Sequence, residues 1–148
     1  MIIREANLND FKKLYEIGKQ TPELKVSSTE EFMDKDDFKS RIKNKEHVFL
    51  VAEIDKQLIG FICIHARDKG KFLKNKYACL VYLVILPKYR KQGIAIFLYK
   101  ECIKRLKKMK VTNIYSWVNN ESDGAMIEFM KKQGFAQGHN YLWMDKKI

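Results

Sequence analysis

The chain has no apolar run near the roughly 20 residues that a membrane-spanning helix requires. Its first residues show no basic segment leading into an apolar core and a small-residue cleavage site. Both absences lead to the expectation of a soluble, cytoplasmic protein with no membrane partner. Cysteine is scarce: Cys63, Cys79 and Cys102 are odd in number, widely spaced and never form Cys-x-x-Cys. That pattern excludes a disulfide framework and a cysteine zinc site, and it points to buried free thiols in a reducing compartment. His47, His65 and His139 have no partner at metal-ligand spacing, so no metal is expected. Arginine is sparse too, with Arg4, Arg41, Arg67, Arg90 and Arg105 dispersed along a chain of formal charge +11. A nucleic-acid surface would cluster such charges and interleave aromatics. A solvated lysine-rich surface explains them instead, and nucleic acid is not an expected partner.

What is present suffices for one packed domain. With 148 residues, 46% hydrophobic and 32% charged, the chain lies in the globular range and can bury a core. No repeat, linker or low-complexity stretch divides it, so a single domain over 1–148 is expected. Ile2, Ile3 and Arg4 read as a short strand. Asn7 caps a helix with Leu8, Phe11, Leu14 and Ile17 on one face, closed by Gly18 and Thr21-Pro22. Ser28 and Glu31 form a capping box before a second helix bearing Phe32, Phe38 and Ile42, with a break near Asp34–Asp36. His47–Ile54 and Leu58–His65 make a hairpin, Gly60 marking a bulge or a close backbone approach. Arg67–Lys76, with Lys69, Lys71, Lys74 and Lys76, reads first as a solvated basic loop, with contact to a cofactor phosphate or an acidic partner as the alternative.

Beyond it, Leu80 to Leu86 reads as a buried strand that Pro87 stops, because proline has no N–H for a ladder. A long helix follows to Met109, with Ile94, Phe97, Leu98, Cys102, Ile103 and Leu106 inward and lysines outward. Val111–Val118 is a strand, Asp123–Gln133 a helix stopped by Gly134, and a last pair of strands runs from Phe135 through Tyr141–Met144. The order is βααβββαβαββ, an α/β (α+β) arrangement with one mixed sheet and helices on its faces. Between the buried strand and the long helix lies Arg90-x-x-Gly93-x-Ala95. A helix N-terminus behind small residues binds anions, since its first N–H groups are unpaired and its dipole is positive there. One glycine before a helix is equally ordinary punctuation, and the Walker and dinucleotide patterns are absent.

The succession strand, Pro87, Tyr89-Arg90-x-x-Gly93-x-Ala95, long helix resembles the acetyl-CoA pyrophosphate loop of the GNAT acetyltransferase superfamily. Asn119-Asn120-Glu121, an amphipathic helix and Lys132-Gln133-Gly134-Phe135 resemble the second cofactor segment of that family. With Met1–Ala6 as the opening strand, the resemblance covers the whole chain. It implies a GNAT fold whose central sheet is mixed but mostly antiparallel. It also implies an N-acetyltransferase that moves an acetyl group from acetyl-CoA to a primary amine by direct attack in a ternary complex. Part of the positive charge would then favour coenzyme A as a polyanion. Leu83, Val84 and Ile85 would pair with the pantetheine arm through backbone. Arg90, Lys91, Gln92, Gly93, Ile94 and Ala95 would hold the pyrophosphate, and Asn120 and Phe129 would also line the cofactor site.

The departures from the family pattern fall on catalysis. Met130 stands where many members carry a tyrosine acid, and Tyr77–Tyr82 lacks the glutamate that some members use as a base. Tyr77, Tyr82 and Tyr141 are the remaining proton-relay candidates. Glu30, Glu31, Asp34, Asp36 and Asp37 on the second helix lead to the expectation of a cationic acceptor: a polyamine, or a peptide amine. A helix start favoured by its dipole explains them as well. The alternative activity is a GNAT-fold regulatory protein that holds acyl-CoA without turnover. A homodimer stays open.

Overall fold

His47–Ile54 is apolar at successive positions, so both faces of that strand need cover, because strand side chains alternate between faces. The computed structural model describes residues 1–25, 32–67, 76–120, 123–140, 142, 144 and 146. Five strands form one sheet in the spatial order β1 (Ile2–Glu5), β2 (His47–Ile54), β3 (Gln57–Arg67), β4 (Tyr77–Ile85), β5 (Asn113–Ser116). Neighbours from β1 to β4 are antiparallel, and β5 joins β4 in parallel. Val48, Leu50 and Ala52 face α3 (Ile94–Lys108) and α4 (Ala125–Lys132). Phe49 and Val51 face α1 (Phe11–Lys19) and α2 (Lys35–Lys43). The expected order is thus borne out through α4.

The face under α1 and α2 is built around Phe38, which is 0% exposed. Its ring lies 5.5–6.4 Å from those of Phe11, Tyr15, Phe32, Phe49, Phe61 and Tyr82. Such a side chain contributes about 3–5 kcal/mol against truncation to alanine. β1 is tied in by charge: Arg4 donates to both carboxylate oxygens of Asp10 (2.7 and 2.8 Å) and to Glu53 on β2 (2.9 Å). Asp10 also accepts the Asn7 N–H (2.9 Å), closing a capping box at the turn Leu8–Asp10 that leads into α1. The Arg4 guanidinium holds the Asp10 carboxyl below the usual carboxylate range.

Three expectations change and one break is placed. Gly18 lies inside α1 instead of ending it; a Cβ there would stand 2.3 Å from Phe32 Cζ, so its role is close approach. Leu8 is exposed, outside the buried stripe. The break expected near Asp34–Asp36 is where α2 begins, at Lys35, because the Asp34 carboxylate accepts the N–H groups of Asp36 (2.8 Å) and Asp37 (3.2 Å). That capping gives the acidic stretch a local structural task. Finally, no strand follows Ser116 among the described residues. Gly134, at φ +86, and the bond from Phe135 N–H to the Met130 carbonyl (3.0 Å) wrap the chain around the end of α4. Residues 136–140 then run exposed. The capping box at Ser28 and Glu31, Lys69, Lys71 and Lys74, and Tyr141 lie outside the described residues.

Candidate functional site

β4 carries the site because two bulges and one missing partner shape it. The pairing of Ile64 with Leu80 and of Cys63 with Tyr82 leaves Val81 as an extra residue. Side-chain parity flips there. Leu80 packs toward α3, whereas Tyr82, two residues on, packs toward α1 and α2. Opposite, Ile59 is the extra residue between Leu58 and Gly60 against β2. A Cβ on Gly60 would stand 2.4 Å from the Val84 carbonyl oxygen, so only glycine lets β3 lie this close to the end of β4.

The ladder between β4 and β5 ends at Leu80 and Ser116, and Ser116 Oγ donates to the Leu80 carbonyl (2.8 Å). β4 nevertheless continues to Ile85. Its outer edge over Tyr82–Ile85 therefore has no strand partner among the described residues. Of its side chains, Leu83 and Ile85 turn toward the α3 cluster and Val84 toward the α1 cluster. Along this stretch of β4 the backbone groups are left at the open edge, which is what an extended amide-bearing ligand pairs with.

That edge runs into the turn Pro87–Tyr89 and then the N-terminus of α3. Lys91, at φ +60, and Gly93, at φ +78, bend the chain there. No side chain caps α3, and its first intrahelical bond runs from Phe97 N–H to the Gly93 carbonyl (3.1 Å). The N–H groups of the first turn are thus open at the positive end of a 15-residue helix. Ile94 is buried and Ala95 half-buried, so neither obstructs the opening. The side chains of Arg90 and Gln92 are occupied elsewhere. Arg90 Nε donates to the Ile85 carbonyl (3.0 Å), and Arg90 Nη1 donates to Glu23 (2.9 Å) in the turn Pro22–Leu24. Gln92 Nε2 donates to the Lys88 carbonyl (3.1 Å). What the loop could offer an anion is thus backbone, while its arginine braces the end of β4. Sequence gave no sign of the Glu23–Arg90 pair, whose members lie 67 positions apart.

The structure brings Leu83–Ile85 and Arg90–Ala95 together at one end of the sheet. Asn120 is exposed in the turn after β5. Phe129 on α4 is half-buried, its ring 5.7 Å from and perpendicular to that of Tyr99 on α3. Met130 is buried in the α3 cluster. Tyr77 opens β4 at its closed end, opposite Arg67 and Asn113 and away from the gap. Tyr82 lies on the unpaired part, its ring 5.4 Å from that of Phe32, and burial pushes its hydroxyl up to about 12. Phe97 departs from the expected inward face and is 54% exposed. No group of three or more potential metal ligands occurs among the described residues. No helix among them is long and apolar enough to cross a membrane.

The acetyltransferase (GNAT) family model matches residues 10–135. The chain belongs to this family. A relative named as an N-acetyltransferase, itself uncharacterised, from Methanocaldococcus jannaschii is 30% identical over 114 residues, covering 75% of this chain. The chain spans about half, 50%, of the length of that curated relative. A solved Bacillus halodurans protein superposes with a TM-score of 0.80 at 18% identity, covering 99% of this chain and 100% of its own. An aminoglycoside N-acetyltransferase solved with CoA superposes with a TM-score of 0.76 at 17% identity, with 99% and 100% covered. At such identities these GNAT likenesses show the fold alone.

Proposed function

We propose that this GNAT domain, over 1–148, transfers an acetyl group from acetyl-CoA to a primary amine. The observation that carries the reading is the unpaired edge of β4, Tyr82–Ile85, leading directly into the uncapped N-terminus of α3. A pantetheine arm extends β4 as a missing strand would, through the backbone of Leu83, Val84 and Ile85. The pyrophosphate meets the first-turn N–H groups behind Gly93 and Ala95. Asn120 and Phe129 complete the walls of that cleft. Three free cysteines, with Cys63 and Cys102 buried, fit a reducing cytoplasmic setting.

The amine nitrogen forms a bond to the thioester carbon, the C–S bond breaks, and the nitrogen gives up a proton while the thiolate gains one. Holding amine and carbonyl together contributes most of the rate, and a backbone N–H near Ile85 stabilises the oxyanion. Among the described residues, no side chain near the gap is a matched acid; Tyr141 lies outside them. Met130 has a thioether and donates nothing. Burial pushes the Tyr82 hydroxyl up to about 12, well above a thiol near the cysteine reference of about 8.5, so Tyr82 is a poorly matched proton donor. The thiolate is then protonated by the acceptor or by water. The buried Met130 also favours a second reading, an acyl-CoA-binding regulator without turnover.

Calorimetric titration with acetyl-CoA, followed by a thiol-release assay over cationic small amines, polyamines and peptide amines, tests the proposal. Tight binding with thiol release for at least one amine is expected. Binding without release for any amine moves the protein to the regulatory reading, and no binding removes both.

A further inference from the structure

Phe97 is the residue of α3 that hydrophobic periodicity places inward and the structure leaves outside. It is 54% exposed, and Ile96 beside it is 39% exposed. Neither hydrophobic cluster takes Phe97 in, so folding gains little from its ring. Helical side chains lean toward the N-terminus of their helix, so this ring folds back over the first turn. Its Cε2 is the nearest atom, at 3.7 Å, to a Cβ built on Gly93. An apolar aromatic face thus borders the open, positive end of α3.

We propose that Phe97 is the stacking platform for the adenine base of acetyl-CoA; this rests on the reading of the loop as the pyrophosphate site. A base joined through one ribose to a diphosphate at the first turn of α3 stays within a nucleotide's length of that turn. Phe97 supplies the exposed aromatic face there. Every purine offers a π-face, and alanine substitution at such stacks weakens binding by roughly 5- to 150-fold. Phe97 is then a specificity residue that separates coenzyme A from carriers with the same arm and no nucleotide.

The experiment measures the dissociation constants of coenzyme A and of 4′-phosphopantetheine for the wild-type protein, Phe97→Ala and Phe97→Trp, with thermal melts as the folding control. Phe97→Ala is expected to weaken coenzyme A about tenfold and to leave phosphopantetheine unchanged, while Phe97→Trp retains the wild-type affinity for coenzyme A. Equal loss for both ligands, or loss for neither, overturns the platform while the pyrophosphate loop stands. Wild-type protein that binds neither ligand overturns the loop, and the platform falls with it.

Discussion

Substitution of Gly93 separates backbone strain from charge at the N-terminus of α3. Gly93 holds φ +78, where only glycine is unstrained. A Cβ there would have nothing nearer than Phe97 Cε2 at 3.7 Å, so space is available and alanine costs mainly conformation, about 1–2 kcal/mol of stability. Gly93→Gln and Gly93→Glu share that strain and differ in charge. A carboxylate about 5 Å from a phosphate charge, at an effective dielectric of about 20, is repelled by about 3 kcal/mol per unit charge. The glutamate variant should therefore bind acetyl-CoA about 100-fold more weakly than the glutamine variant. Titration calorimetry on the three variants, after melts show them folded, reads this difference directly. Raising the salt should narrow the gap between Gln and Glu, because the loop is open to solvent. Equal affinity of the two variants at low salt would refute the placement of the cofactor's phosphates at this loop.

Three further outcomes follow from the same geometry. Tyr82→Phe should leave the pH–rate profile a plain rise to a plateau set by the acceptor amine; a descending limb that vanishes in this variant would make Tyr82 the acid after all. Gly60→Ala should lower stability by about 1–3 kcal/mol and weaken acetyl-CoA binding together, because its Cβ meets the Val84 carbonyl oxygen at 2.4 Å; unchanged denaturant midpoint and affinity would contradict the close approach. Burial lowers the pKa of His47, whose Nδ1 lies 3.2 Å from the Arg41 carbonyl and whose ring abuts that of His65. The unfolded chain takes up that proton first, so stability present above about pH 6.5 is lost as pH falls; His47→Gln should flatten this loss between pH 7 and 5 in denaturant titrations, and an unchanged slope would exclude His47 as its source.

The parts of the fold legible in sequence are those that local physics decides. Asn7 as a cap, the two-parity apolar run of β2 and Gly134 each act within a few residues, and each does in the structure what its type implies. The loop Arg90–Ala95 is legible for the same reason: a strand stop, a glycine and a helix start are neighbours in the chain. Phe97 was misplaced because a period of 3.6 cannot distinguish the edge of the buried stripe from its middle. Of the expected last pair of strands, 136–140 runs exposed because the Gly134 turn carries the chain around the end of α4, while Tyr141 and Trp143 lie outside the described residues.

What sequence cannot show is the arrangement that turns β4 into a site. Val81 is apolar like its neighbours, and nothing in its type marks it as the residue left unpaired. Yet that one extra residue decides which face Tyr82 joins, since Leu80 and Tyr82 would otherwise share a face. It falls next to the last rung between β4 and β5, at Leu80 and Ser116, where the two strands part. A continued ladder would satisfy the backbone of Tyr82–Ile85 within the protein and leave an incoming chain nothing to pair with. The gap is held open at its far end by another long-range contact, Arg90 bonded at once to the Ile85 carbonyl and to Glu23. That contact commits the loop's arginine to shape, so an anion at this loop would meet backbone N–H groups and the dipole of α3. The guanidinium of Arg90, and not its charge alone, is therefore what the end of β4 uses: Arg90→Lys, which has no planar fork to reach two acceptors, should loosen the end of β4 and weaken acetyl-CoA binding in calorimetric titration even though the positive charge remains.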